Sequence, residues 1–523
     1  MRRIVHAAHV IVLLLGFYVL CIGLLAALVA ADVFVTRQAA ASAALDREVV
    51  IAYVLTAVVA YIAVRGIFVS IRVRDRNLRG IAVSERDEPA LWRHVEFLAR
   101  EVGTRPPKRI YLVADVNASV WDNAHLLGLI PGQRRMKLGL PLLAGLTPAQ
   151  FDAVVSHELG HFGNRDLRFG ALDHRAAANV ASAMSAARGR RLAKAGLRRG
   201  LWIPGHNTVE AMFDLYGRHV LAVTQAARRR QEYAADRVAA DIAGHANAAS
   251  ALRELRVIAT ALDFYLDKYA TVGLDRKLVP MPAELFGGFA AMLAEPERRK
   301  QLDDVRRNQV ADPPAAFASH PPMHERIAAI EALPPDGRPA DTSGARAMTL
   351  LANPSAVMTA VGPKLLGSDA AGAQAVDWDT LVTAASAARA ARRSDPLRLV
   401  LAGMYGKPVS LGGLLDAIDA GRLDEILEEL PASDGASDAR ITGPVAREAA
   451  KTSMTPMVRS WALAELASQG RVRWRHSWAD SGGVLDIDAE LSAGLSAALR
   501  ALVALRPDAR AMRRVVYPAG VAA

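Results

Sequence analysis

The sequence predicts an α+β protein that is mainly helical. A central mixed domain follows an N-terminal two-helix transmembrane hairpin, and a mostly helical accessory domain closes the chain. Three observations carry this. Two long apolar stretches occupy the first 71 residues. A short β-patterned segment at 110–146 gives way to helical periodicity up to about residue 335. Beyond a Pro/Gly-rich stretch, alanine-rich helical patterns dominate.

Val10 to Ala31 is 22 residues without a charge, long enough to span a bilayer. Val49 to Ile71 is a second span, interrupted only by Arg65 near its end, where the side chain can reach the interface. A cleavable signal peptide is the weaker reading, because the first run is long and a second follows. Arg2 and Arg3 precede the first span, and Arg72, Arg74, Arg76 and Arg79 follow the second. The intervening loop has only Arg37 and Arg47, so both flanks are expected in the cytoplasm. The expectation is a multi-pass protein of the cell membrane with its main domain cytoplasmic. The sole cysteine, Cys21, lies inside a span, which excludes an intrachain disulfide.

Three divisions follow: 1–77 for the membrane hairpin (spans about 10–31 and 49–71), 78–340 for the central domain and 345–523 for the accessory domain. Within the second, Pro89 to Val102 reads as an amphipathic helix and 110–146 as strands of a small sheet. Leu333-Pro334-Pro335-Asp336-Gly337 to Gly344 reads as a linker. Within the third, Trp378–Arg393, Leu411–Leu430 and about Ala489–Leu505 read as helices, and Ala432–Ala439 as a loop. Val472–Trp478 and Val484–Ile487 read as a hairpin turned by Ser481-Gly482-Gly483. Trp474, His476 and Trp478 fall on one strand face, where core packing is the plainer reading. No metal spacing, nucleophile pattern or phosphate loop occurs in this third region.

The chemistry concentrates at His157-Glu158-Leu159-Gly160-His161. Thr147-Pro148-Ala149-Gln150 supplies a capping box with proline at the first helical position. Phe151, Val154, Val155, Leu159 and Phe162 keep a 3.6-residue rhythm, and Gly163-Asn164 supplies a stop. Residues i and i+4 share a helix face, so His157 and His161 can hold one metal ion, with Glu158 near a water on that ion. A catalytic zinc needs a third protein ligand. About 70 residues on, Glu232 and Asp236 stand one turn apart on a second predicted helix. One carboxylate as ligand and one steadying a ligand histidine is a division that zinc sites use. His174, His206 and His219 are rivals without a comparable pattern.

H-E-L-G-H with Asn164-Arg165-Asp166, then R-x-x-E-Y-A-A-D at Arg229 to Asp236, then Ser319-His320-Pro321-Pro322 with Glu325-Arg326-Ile327, resembles the M48 zinc metallopeptidases over roughly residues 78–350. Ile110-Tyr111-Leu112-Val113 followed by Asn117-Ala118 resembles the family's strand and its Asn-Ala pair. The resemblance implies a zincin-like (gluzincin) catalytic domain with one Zn2+ per chain, held by His157, His161 and Glu232. It implies Glu158 as general base, Asp236 steadying a ligand and His320 stabilising the tetrahedral intermediate. Asn117 and Ala118 would bind a substrate strand. The segment 165–227 departs from relatives that carry further spans there. It holds a basic cluster (Arg188, Arg190, Arg191, Lys194, Arg198, Arg199) before Trp202, read as a solvated helical hairpin or as one lying on an anionic leaflet.

The expected function is therefore that of a membrane-anchored zinc endopeptidase acting on protein or peptide substrates, in membrane-protein quality control or regulated proteolysis. A dedicated maturation protease and a catalytically silent adaptor retaining zinc stay open. The net charge of +11 comes without a nucleic-acid recognition module, and anionic lipid headgroups account for it better. Oligomeric state is not legible.

Overall fold

The computed structural model describes residues 80–122, 132–163, 229–307, 321–430, 444–480 and 483–518, with isolated stretches between 12 and 60 and at 215 and 225–226. It divides into two compact units. The first comprises residues 1–262 with 300–365, and the second 263–299 with 366–523. Residues 263–299, expected in the central domain, thus belong with the C-terminal region, while 345–365 belong with the first unit. The predicted linker after Leu333 carries no helix or strand up to Arg346, yet it does not separate the units.

In the first unit four strands, β1 (Gly80–Val83), β2 (Arg109–Val113), β3 (Ala118–Asp122) and β4 (Arg134–Gly139), form a sheet of order β1-β2-β4-β3. β2 and β4 pair in parallel; β1 and β3 flank them antiparallel as edges. β2 buries four consecutive residues, as a central strand covered on both faces does. Helix α1 (Pro89–Glu101) begins with proline, and Trp92 Nε1 donates to the Val83 carbonyl at 3.2 Å. Residues 140–145, expected as strand, instead form the short buried helix α2 (Leu140–Gly145), with Pro141 in its first turn.

Helix α3 (Pro148–Gly160) starts as its sequence predicts: the Gln150 amide donates to Thr147 Oγ1 at 3.3 Å, and the Thr147 amide donates to Gln150 Oε1 at 2.9 Å. His94 on α1 pairs with Asp152 on α3 at 2.5 Å and stacks on Phe151, fixing the two helices together. Helix α4 (229–243) and α5 (His245–Tyr265) follow, joined at Gly244 with φ +91, a left-handed backbone that glycine accepts. Helix α8 (Met323–Glu331), which comes after α6 (Glu284–Ala294) and α7 (Pro296–Arg307), completes the surroundings of the site.

Near the N-terminus, Thr56 donates to the Asp32 carboxylate at 3.0 Å, and the Thr36 and Tyr53 hydroxyls lie 2.6 Å apart. These pairs run in opposite directions along the chain, as the arms of a hairpin do. Among the described residues no helix is long and apolar enough to cross a membrane; parts of both expected spans lie outside those residues. The basic cluster and Trp202 also lie outside them.

The second unit is a helical assembly: α9 (Trp378–Arg393), α10 (Asp395–Tyr405), α11 (Leu411–Asp419), α12 (Leu423–Glu429), α13 (Pro444–Ser468), α14 (Ala489–Leu502) and α15 (Arg510–Val516). Gly421, with φ +78, breaks the single helix expected over 411–430 into two. The predicted hairpin pairs Arg473–Arg475 with Val484–Asp486 antiparallel. Trp474 enters the core, while His476 and Trp478 lie past the strand's end in an aromatic cluster with Trp378, Tyr265 and Tyr269. The loop expected at Ala432–Ala439 lies outside the described residues.

His476 yields an acid-stability prediction. Its two ring nitrogens are buried and find no hydrogen-bond partner among the described residues. Burial lowers its pKa from 6.5 to about 4, against a weaker opposing pull from Asp379. The folded state therefore refuses a proton that the unfolded chain accepts. This contribution is complete above about pH 6.5 and is lost as pH falls toward about 4. The wild-type Tm should fall further over that window than that of His476→Phe, by on the order of a few degrees. Thermal melts at several pH values check this; parallel curves would refute it.

Candidate metal centre

The geometry of α3 brings His157 and His161 onto one face, with ring centroids 4.8 Å apart. Helix α4 supplies Glu232 and Asp236 from the opposite side. His157 Nε2 lies 3.6 Å from Glu232 Oε2, and His161 Nε2 lies 3.9 Å from Glu232 Oε1. One donor atom from each of these three residues falls within 4.8 Å of the others. Zinc–nitrogen and zinc–oxygen bonds of about 2.0–2.2 Å put tetrahedral donors roughly 3.4 Å apart, so two imidazoles and a carboxylate at these separations fit one zinc ion after a small closing movement.

The other nitrogen of His157 is already engaged: Nδ1 lies 3.0 Å from Asp236 Oδ1. That contact fixes the ring so that Nε2 faces Glu232. Gly160 helps the two helices meet, since a Cβ there would touch Ala235 Cα at 3.4 Å. Burial works against a charged His157, yet hydrogen bonds to Asp236 and Glu232 outweigh it and raise its pKa to about 9. Asp236 is pushed up by burial, but hydrogen bonds from Arg326 and His157 prevail and bring it to about 2. The site is thus built around negative charge that attracts a cation.

Arg326 carries a role that the sequence did not reveal. It is buried on α8, donating through Nε to Asp236 Oδ2 at 2.8 Å and through Nη2 to Oδ1 at 2.6 Å. Its Nη1 is also 3.9 Å from Glu232 Oε2. The Glu-Arg-Ile segment was visible in sequence; what could have exposed the role is the need of two buried carboxylates for a fixed cation. Tyr233 donates to Glu325 at 3.1 Å and ties α4 to α8 a second time.

A cavity of about 270 Å3 opens beside these groups. Glu158 is half-buried on its wall; Asn117 and Ala118, at the start of edge strand β3, line it from the sheet side. The structure therefore gathers His157, Glu158, His161, Glu232, Asp236, Asn117 and Ala118 in one region. His320 lies outside the described residues; Pro321-Pro322 leads into α8 beside the site, as the sequence predicts.

The profile described as Peptidase family M48 matches residues 85–333, a little under half of the chain, and with the relatives below it supports an M48 family metallopeptidase. Protease HtpX homolog 1 of Sulfurisphaera tokodaii is 33% identical over 88 residues, which are 16% of this chain and 27% of that protein. The Protease HtpX homolog of Pseudarthrobacter chlorophenolicus is 26% identical over 276 residues, 52% of this chain and 82% of that protein. That of Kineococcus radiotolerans is 27% identical over 268 residues, 49% of this chain and 78% of the relative. No solved structure matches the chain.

Proposed function

We propose that this protein is a membrane-tethered zinc endopeptidase of gluzincin type. The observation that carries the reading is the convergence of His157, His161 and Glu232 beside a cavity bordered by Glu158. When bound, zinc supplies Lewis-acid activation of a water and of the scissile carbonyl. Glu158 accepts the proton of the attacking water and passes it to the leaving amine. Asp236 holds His157 in the tautomer whose Nε2 faces the ligand set, and Arg326 holds Asp236. The substrate backbone pairs with β3 at Asn117-Ala118, and His320 stabilises the oxyanion. Tethering rests on the two apolar N-terminal stretches and on the antiparallel Asp32–Thr56 and Thr36–Tyr53 contacts, with the catalytic domain cytoplasmic.

The cavity indicates the substrate. Glu158, Leu255, Ala259 and Met323 are half-buried at its mouth, whereas Leu142, Ala153, Ala248 and Ala251 are each at most 3% exposed and make its floor. A floor made largely of alanine leaves depth for a bulky apolar residue of the substrate. Such residues are presented by unfolded and membrane-derived segments, which favours quality control or regulated proteolysis over maturation of one peptide. Filling the floor with Ala251→Leu should lower kcat/KM for peptides with a large apolar residue at the cleavage site by roughly 10–200-fold and spare those with a small one. A peptide library, with Tm measured alongside, checks this; an unchanged preference would remove the cavity from the reading.

Zinc content and cleavage of an unfolded protein by the full chain in detergent, before and after chelation, test the function. One zinc per chain, with cleavage lost on chelation and restored by zinc, is expected. Stoichiometric zinc without cleavage of any substrate would favour the silent adaptor.

A further inference from the structure

The C-terminal end of α3 holds a ligand where a helix is weakest. His161 is the C-cap, and the last carbonyls of a helix have no intrahelical partners. Helix ends fray, so a metal ligand there must be ordered from outside. In this chain the ordering comes from a partly buried chain of contacts. Thr104 Oγ1 donates to the Phe162 carbonyl at 3.0 Å. Arg134 Nη1 donates to Thr104 Oγ1 and to the Arg105 carbonyl, both at 2.7 Å, and the guanidinium lies over the Phe162 ring at 4.4 Å. Asp122 fixes the arginine from behind, its Oδ1 3.2 Å from Nε, with side-chain exposures of 7% for Arg134 and 2% for Asp122.

Two further facts make this an anchor for the helix end rather than general packing. Gly163 is not left-handed. Its value is close approach, since a Cβ would meet Val102 Cγ1 at 2.9 Å and the Val102 carbonyl at 3.0 Å. Asp122 and Arg134 are also register partners on β3 and β4, so the contacts that grip Phe162 close the far end of the strand that begins at Ala118.

We propose that Arg134, acting through Thr104 and Phe162, is a positioning residue that pre-orders His161 for metal and locks the edge strand to the metal helix. The proposal rests on the zinc reading above, but its physical content concerns the zinc-free protein too. Pre-ordering spares the site the entropy of fixing its second histidine when the ion arrives, and loss of such support costs on the order of 10–100-fold in metal affinity.

The test compares the two ends of α3. Thr104→Val removes the relay hydroxyl with almost no change of shape, and Arg134→Lys keeps the charge beside Asp122 but loses the planar fork. His94→Leu breaks the His94–Asp152 contact near the start of the same helix and serves as the control. Zinc affinity is measured on full-length protein by chelator competition, and hydrogen exchange at the Phe162 and Gly163 amides is followed without zinc. Weakening of zinc binding by about tenfold or more in Thr104→Val and Arg134→Lys is expected, with faster exchange at both amides and neither change in His94→Leu. Unchanged affinity and exchange in the first two variants, or the same losses in His94→Leu at equal Tm, would overturn the proposal. A wild type that binds no zinc would defeat the functional reading while leaving the exchange comparison to decide this one.

Discussion

Glu158→Gln should retain one zinc per chain and lose hydrolysis by about 100- to 10,000-fold in kcat/KM, the range a positioned general base supplies. Glutamine keeps the shape of the side chain and its place on α3 between the two histidines, but its amide cannot take a proton. The ligand set of His157, His161 and Glu232 is untouched, so metal content separates this variant from Glu232→Gln, which removes a charged ligand and should lower zinc occupancy as well. Metal analysis paired with steady-state cleavage checks the pair. Cleavage by Glu158→Gln at the wild-type rate would take the base role away from that residue, and loss of zinc from it would show that the carboxylate serves the site's charge instead.

Much of this centre is legible in the sequence because it is built from local rules. A capping box, a proline at the first helical position and an i, i+4 histidine pair need only one helix to be read, and α3 begins where they place it. Glu232 and Asp236 are legible for the same reason: one turn of a second helix sets them on one face. What escaped depends on packing between elements distant in sequence. Nothing local says that Arg326 is buried, since α8 carries it beside Ile327 as an ordinary amphipathic helix would. The Asp122–Arg134–Thr104–Phe162 chain draws on two strands and two helix ends, and no sequence period connects them. Tyr265 reads as a helix residue of the central domain, but besides nearby Phe289 its aromatic partners Trp378 and Trp478 lie far along the chain. Gly421 was readable in principle, because a glycine inside an apolar rhythm raises the question of a left-handed break.

Arg326→Met should destabilise the zinc-free protein by about 3–5 kcal/mol, the cost of leaving a buried charge without its partner. The side chain is 5% exposed, and both of its forked donors reach Asp236, which is itself 4% exposed. Methionine fills similar space but removes the guanidinium that answers the charge of Asp236 and Glu232. Arg326→Lys should fall between, because one ammonium cannot make the two-pronged contact that the fork makes. Zinc should recover part of the loss in both variants: a ligand that binds only the folded state stabilises it in proportion to its occupancy, and this one also brings positive charge to the same carboxylates. Urea denaturation with and without zinc measures all of this. A zinc-free Arg326→Met protein within about 1 kcal/mol of wild type would mean that the acidic pair is balanced without the arginine. The arginine would then serve only to orient Asp236, and its loss would appear in zinc affinity without a matching loss of stability.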